Sequence, residues 1–513
     1  MFSMRHWAYT TIIFTIAFIV VPSLIGVVIL LQLAQEITTS QIINALSSVM
    51  NSLVVAGLVT IINILVSIPF AWRIARKNDS LSKFLDFILD APLFVPTAAL
   101  GFSVLSFWSS GYYSLNLISP GFWLVVLLHF TFTHPYIVRT LIGVIRSTDL
   151  SVEVAAKSFG IKRAALSRTI YLPMLKAGII AGALISFARS ISETGATYVV
   201  AGPFETGPVF IKNRLSVDPG SAAFAAVSLL LVSIFIFFII RRISRRRFLP
   251  LHPETKIEKM IGLKTAFSIN IISLLFFAVM ILIPSFYLVA YLSPGATCDW
   301  ASLTNSLLLS TIIALAVSII DLFFGIPLAY YLARADSLLR DLVEALVIVP
   351  LIVPTVSLGT SLGYFWGSFG LNPVIAIAFA HLSFTFPIFV MSYTAAIESI
   401  DPELELVAQS LGADTIKTYR EITLQLTKSA IASSAVLVFT RSFGETGATI
   451  SVAEAMAAEI YTLPLLLVSW IKKAQAGLIP FSTVAIASFI TLIIGLLMMA
   501  VIKMAGGKRE KYE

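Results

Sequence analysis

Twelve stretches of roughly 20 mostly apolar residues, each long enough to cross a hydrocarbon core as a helix, run through the chain from one end to the other. They fall near residues 9–31, 53–72, 87–108, 121–141, 177–201, 222–240, 266–292, 307–332, 343–366, 373–393, 430–452 and 481–501. Backbone inside lipid must satisfy its own N–H and C=O groups, so such a pattern leaves almost nothing but helices available. The composition agrees. Charged residues make up 12% and hydrophobic residues 58%, whereas a soluble domain carries about 25% charge. A water-soluble enzyme, a disordered chain and a disulfide scaffold are excluded at this step. The first stretch follows a short basic segment, but it is too long for a leader and has no small-residue cleavage site. It reads as an anchor.

The net charge of +8 is explained by its distribution. With the N-terminus placed inside, 29 of the 35 Lys and Arg fall in segments on the inner side. The outer loops hold only Lys212, Arg214, Lys472 and Lys473, and two more, Arg189 and Arg441, lie within spans. That asymmetry predicts both termini in the cytoplasm. The run from Arg241 to Arg247 reads as a headgroup-facing linker. It has no interleaved aromatics, which argues against nucleic acid. Cys298 is the single cysteine, so no internal disulfide can form.

The two halves are copies. Residues 187–197 match 439–449 at 8 of 11 positions with an offset of 252, and His129 and His381 share that offset. Pro92-Leu-Phe-Val-Pro-Thr97 matches Pro350-Leu-Ile-Val-Pro-Thr355 with an offset of 258, so the first copy carries six extra residues between its third and fourth spans. An even number of spans per copy makes the two topologies parallel, related by an axis along the membrane normal. The expected architecture is an all-α integral membrane protein of about twelve helices in two parallel six-helix repeats. The expected parts are a first half at 1–240, a basic linker at 241–264 and a second half at 265–513, with core repeats at 48–240 and 304–501.

Each copy carries the same device on its long inner loop. The first reads Glu153-Val-Ala-Ala-Lys-Ser-Phe-Gly160 and then Ile170-Tyr-Leu-Pro173. The second reads Glu405-Leu-Val-Ala-Gln-Ser-Leu-Gly412 and then Ile422-Thr-Leu-Gln425. A short helix ending at a Gly suits a left-handed C-terminal cap, and a second short helix returns the chain to the membrane. Such an element is shaped to dock into a protein groove.

This pattern resembles the coupling loop of the transmembrane permease subunits of binding-protein-dependent ABC importers of the type I fold. The resemblance spans both core repeats. It implies that Glu153, Ala156, Gly160 and Pro173, with Glu405, Ala408 and Gly412, carry the coupling role. The second copy departs from the pattern at Val407 and Gln425. The resemblance further implies two cytoplasmic ABC ATPase subunits as partners, an extracytoplasmic substrate-binding protein, and residence in a prokaryotic plasma membrane. It implies no cofactor on this chain, since ATP and Mg are used by the partner ATPase. The nearest approach to a phosphate loop, Gly202-Pro-Phe-Glu-Thr-Gly207-Pro208, lacks the Lys and the Ser or Thr such a loop needs, so the chain is not expected to be an enzyme.

Within the spans, Arg189 and Glu193, and likewise Arg441 and Glu445, are spaced i, i+4, as for a pair on one helix face. With Thr197 and Thr449 they are the candidate lining of a translocation pathway. A structural ion pair explains the same spacing. The Arg-x-x-x-Glu-x-Gly-Ala-Thr arrangement resembles permeases for molybdate, tungstate and sulfate, whereas fusion of two halves resembles those for ferric iron and thiamine. No His, Cys or carboxylate cluster has metal-ligand spacing, and His129 and His381 suit helix packing. A twelve-span secondary transporter not driven by ATP remains the alternative, although it needs no docking loop.

Overall fold

Four Pro-containing and Gly-containing breaks decide how this apolar chain is arranged. In the computed structural model, residues 4–35, 37–109, 114–147, 158, 171–244, 271–292 and 297–506 are described. Among them are ten helices long and apolar enough to cross a membrane, or twelve if each of two bent pairs counts as one span. The longest, Thr39–Arg76 and Trp300–Arg334, extend well beyond the stretches 53–72 and 307–332 expected from hydropathy. Ile61, Leu65, Ile312 and Ile319 are exposed along them, a face for lipid rather than water.

The third and ninth stretches are not straight spans. Ser80–Leu93 and Thr97–Trp108 meet at 108°, and Leu338–Leu351 and Thr355–Ser368 meet at 101°. The bends fall on the duplicated Val-Pro-Thr. The ring of Pro96 or Pro354 excludes helical geometry from the residue before it, and Val95 and Val353 are both extended, with ψ of 129°. The fifth and eleventh stretches also break. The helix Leu172–Ser192 stops at Glu193 and restarts as Gly195–Val200. Leu424–Phe443 stops at Gly444 and restarts as Gly447–Ala455. Two further helices, Gly207–Arg214 and Leu463–Gln475, occupy what hydropathy assigns to outer loops. Both pack inward, through Val209, Phe210 and Ile211 in one and Leu463, Leu467 and Ile471 in the other. Each is tied by its first N–H to a serine of the long span of its own half: Gly207 to Ser52 and Leu463 to Ser310, both at 2.8 Å.

The division by sequence is not the division in space. The first span packs on the second half, where the Phe14 and Phe324 rings stack at 3.9 Å and Phe18 approaches Trp366 and Phe379. Reciprocally, the segment Ile271–Tyr291 packs on the first half. Ser103 donates to the Ser285 carbonyl at 3.2 Å and accepts from the Leu288 N–H at 3.1 Å. The Tyr291 hydroxyl donates to the Ser106 carbonyl at 3.3 Å. Each half is thus clasped by the leading span of the other.

Candidate functional site

The broken helices converge. Glu193 sits in extended geometry between its two helical pieces, so the charged pair does not lie on one continuous helix face as the spacing suggested; the break brings it together. One Glu193 oxygen receives Arg189 at 2.6 Å, and the other accepts the N–H of Ala196 at 3.1 Å, inside the first turn of the following half-helix. Glu445 repeats both contacts, pairing with Arg441 and accepting the N–H of Ala448 at 3.0 Å. A carboxylate at a helix N-terminus is favoured by the orphan donors there. Each glutamate therefore ties an arginine of the incoming helix to the start of the outgoing one. The arginines also lie over aromatic rings, Arg189 over Phe132 at 5.2 Å and Arg441 over Phe384 at 4.7 Å.

A histidine latches each break from behind. The two ring nitrogens of His129 lie 2.7 Å from the Ser190 hydroxyl and 2.8 Å from that of Thr197. Those of His381 reach Ser442 and Thr449, both at 2.8 Å. Serine and threonine stand on opposite sides of the break, so the imidazole fixes the angle between the two pieces. Thr197 and Thr449 are fully buried and bonded to these histidines; they brace the break. The role in packing expected for the histidines agrees with this geometry.

The two breaks face each other. A Cβ on Gly195 would stand 2.6 Å from the Thr446 side chain, and one on Gly447 would stand 2.8 Å from the hydroxyls of Thr194 and Thr355. Only glycine permits this approach. Between them lies a polar crevice lined by Thr97, Thr355, Arg189, Glu193, Glu445 and Thr446 among others, with no room for a water-sized sphere. The protein is shut at this level. The threonines that line it were not singled out by sequence reasoning. The signal was present in the duplicated Pro-Thr and Thr-Gly pairs, each adjacent to a break.

One span away stands the repeated loop helix. Among the described residues of the first loop, Pro173 is exposed near the start of Leu172–Ser192, while Glu153, Ala156 and Gly160 lie outside the described residues. In the second loop the helix Pro402–Ser410 is capped by Asp401, whose side chain accepts the Glu403 N–H at 3.0 Å. It ends with the Gly412 N–H donating to the Gln409 carbonyl at 3.0 Å and that of Ala413 to the Ala408 carbonyl at 3.1 Å. Gly412 has φ of +90°, the left-handed cap its position predicted. Glu405 points inward. It is buried, 3.0 Å from Arg334 and within reach of the Tyr330 hydroxyl at 3.2 Å and the Thr423 hydroxyl at 2.6 Å. It anchors the helix to the bundle. The outward side carries an apolar patch, with Leu404, Leu406, Val407 and Leu411 exposed, Leu411 to 83%, beside the exposed Glu403, Gln409 and Ser410. Gln425 is also exposed.

Among the described residues no group of three His, Cys, Asp or Glu could hold a metal ion. The chain matches, twice, the family of binding-protein-dependent transport system inner membrane components, over residues 64–249 and 325–508. It is 33% identical over 187 residues to a probable molybdenum ABC transporter permease protein of Haloferax volcanii, covering 34% of this chain and 65% of the relative. It is 35% identical over 152 residues to a molybdate/tungstate transport system permease protein of Pyrococcus abyssi, covering 30% and 60%. To a sulfate transport system permease protein of Salmonella typhimurium it is 30% identical over 207 residues, covering 38% and 75%. The chain thus spans 65% and 60% of the lengths of the first two relatives. Two matches of the family in one polypeptide, laid over two copies of the same broken-helix arrangement, identify this multi-pass membrane chain as a member of the binding-protein-dependent transport system inner membrane components.

Proposed function

We propose that the chain is the fused permease of an ATP-driven importer, in which both halves of the translocation pathway are carried by one polypeptide. The pathway runs along the axis between the halves and is closed at the crevice between Glu193 and Glu445. The observation that carries this reading is the pairing of four convergent helix breaks with a capped, apolar-faced helix one span away. The Thr415–Phe443 helix joins the two ends directly. Movement of Pro402–Ser410 therefore reaches the break at Glu445 through one continuous helix with a π-helical turn at Tyr419–Thr423.

Energy enters from outside the chain. Two cytoplasmic ATPase subunits seat the loop helices in their grooves, and ATP with Mg is bound and hydrolysed there. Leu404, Leu406, Val407 and Leu411 supply the apolar contact, Gly412 turns the chain, and Glu405 transmits the load into the bundle through Arg334. By repeat register, Glu153, Ala156 and Gly160 do the same in the first loop. A secondary transporter has no use for such a face.

The cargo is a small oxyanion, with molybdate or tungstate ahead of sulfate. The relatives' substrates support this, as does a half-buried arginine at each break, Arg189 on the lining of the crevice and Arg441 at the repeated position, which suits a divalent anion better than ferric iron or thiamine. Delivery is by an extracytoplasmic binding protein. Both termini are cytoplasmic.

The test is uptake of labelled molybdate into vesicles holding the chain, its ATPase and its binding protein. Uptake should require ATP, and Leu411→Asp should abolish stimulation of the ATPase. Uptake driven by an ion gradient without the ATPase overturns the reading. Topology is checked in a Cys298→Ser background. A cysteine at the exposed Gly370 should react with impermeant reagent from outside, and one at Ser410 only from inside.

A further inference from the structure

Outward of the crevice, along the same half-helices, lies a cavity of about 580 Å³ between the two halves. Tyr198 stands one turn beyond Gly195, and Ala453 and Glu454 two turns beyond Gly447. Three of the four cations that sequence assigns to the outer side, Lys212, Lys472 and Lys473, line this one space, with Tyr461, Glu454 and Glu459. Two of the ammonium groups converge on a single ring. Lys212 Nζ lies 4.6 Å and Lys472 Nζ 4.4 Å from the centre of Tyr198. The π-system of the ring attracts both, but each repels the other.

Only one of them has a carboxylate. Glu454 lies 3.4 Å from Lys212, while no carboxylate among the described residues is within ion-pair distance of Lys472. Burial and then the neighbouring Lys212 hold the Lys472 ammonium below its usual range. Burial pushes the Glu454 carboxyl up against the pull of Lys212. Two half-buried cations crowd one aromatic ring, and only one of them is paired with a carboxylate, which is the electrostatic shape of an unfilled anion site. The arrangement is not part of the repeat. Ile450 stands where the other half has Tyr198, and, with the two inward helices aligned on Gly207 and Leu463, whose N–H groups make the same bond to a serine, Val468 stands where it has Lys212. A single site therefore sits beside the axis rather than two symmetric ones.

We propose that this cavity is a receiving site for a small tetrahedral oxyanion, held between Lys472 and Lys212 before it reaches the crevice at Glu193 and Glu445. The proposal rests on the reading of the chain as an oxyanion permease. The volume accommodates the anion with part of its hydration. Lysine ammonium groups are strongly hydrated point charges rather than bidentate forks, so they attract the anion without gripping it. A site that must release its occupant inward gains from that. Field focusing in a cleft of one sign also raises the rate of capture.

The experiment has two arms. In the first, tungstate is titrated calorimetrically into the purified chain without binding protein. In the second, molybdate uptake is measured with the full assembly, together with the affinity of the binding protein for the permease. Lys472→Gln should weaken tungstate binding and raise the KM for uptake about ten-fold, the weight of one charge-assisted hydrogen bond. Lys472→Arg should restore most of it, and Lys212→Gln should act in the same direction. Thermal melts of each variant check folding. Wild-type tungstate affinity and KM in the Lys472→Gln/Lys212→Gln double variant overturn the proposal. So does a loss confined to binding-protein affinity, which makes the lysines docking contacts. If the wild-type assembly carries no oxyanion, the functional reading fails, and the calorimetric arm alone decides whether the cavity binds one.

Discussion

At the crevice the two halves perform the same chemistry atom for atom; deeper in the bundle they do not. Each break has its arginine, its glutamate with a backbone N–H, and its histidine between a serine and a threonine. In the first half, a second polar network joins Asn63 to Thr133 at 2.7 Å and to His134 at 3.0 Å, with Ser67 at 3.2 Å from the same ring. The corresponding residues of the second half are Asp321, Thr385, Phe386 and Gly325. In both halves this threonine donates to the carbonyl of the histidine one turn earlier, Thr133 to His129 at 2.6 Å and Thr385 to His381 at 2.9 Å, but neither Asp321 oxygen has a hydrogen-bond partner among the described residues. Gly325 lets the Phe389 ring fill the space instead. Groups that face the axis must match their opposite number, because each break closes against the other. Groups away from it need only fill volume and satisfy themselves within their own half.

The matched part gives the largest expected effects. Removing one partner of a buried, hydrogen-bonded ion pair costs about 3–5 kcal/mol. Glu193→Gln and Glu445→Gln should each lower the melting temperature strongly and abolish uptake, by similar amounts. A large inequality would break the symmetry argument. Exchanging Arg189 and Glu193 with each other preserves the pair, yet it should not rescue function, because an arginine at position 193 cannot accept the Ala196 N–H. Recovery in that double variant would show that the backbone bond carries no weight.

The latches come next. His129→Ala strands the hydroxyl of Ser190, and His381→Ala that of Ser442, while Thr197 and Thr449 lose one partner but still donate to the carbonyls of Glu193 at 3.1 Å and Glu445 at 3.0 Å. Each buried group left unsatisfied costs about 1–3 kcal/mol. Thermal melts should show equal losses in the two halves. A silent His381→Ala would mean that the second break is held by packing alone.

Much of this was legible in the sequence and some was not, for identifiable reasons. Span number, duplication and the helix–glycine turn of the second loop follow from hydropathy and from repeats at fixed offsets. The Gly412 cap was readable because left-handed geometry has a residue signature. The breaks at Pro96 and Pro354 were also signalled, but apolar runs of adequate length hid them: hydropathy measures length along the chain and says nothing of direction. The inward turn of Glu405 was invisible, since its partners Tyr330, Arg334 and Thr423 come from elsewhere in the chain. The clasp of each half by the other's first span is likewise a tertiary fact, for one apolar face fits lipid or protein equally well in composition.

The docking loop sharpens the comparison at lower cost. A β-branched residue at φ of +90° is strained by about 1–2 kcal/mol. A Cβ at Gly412 would meet nothing within 4 Å, so no clash adds to that strain. Gly412→Val should leave insertion unchanged and lower the melting temperature slightly while reducing ATPase stimulation. The matching change at Gly160 tests whether the two loops share the load equally. Unequal losses would extend the asymmetry of the deeper network to the cytoplasmic end.

The smallest effect is expected at Asp321, and its sign is the informative part. Asp321 is fully buried within its span, and neither of its oxygens has a hydrogen-bond partner among the described residues to offset the loss of water. Asp321→Asn installs the amide that the first half carries at Asn63, facing the threonine equivalent to Thr133. One new hydrogen bond to Thr385 is worth about 0.5–1.5 kcal/mol, so the variant should melt slightly higher than the wild type and keep its uptake. The reciprocal change, Asn63→Asp, should be destabilising, because it removes the donor to Thr133. If Asp321→Asn melts higher yet loses uptake, the second half retains its carboxylate for transport rather than by drift. The halves would then differ in mechanism and not merely in packing. If it melts lower, Asp321 is already satisfied in the membrane, and the contrast between the two networks is one of partners rather than of satisfaction.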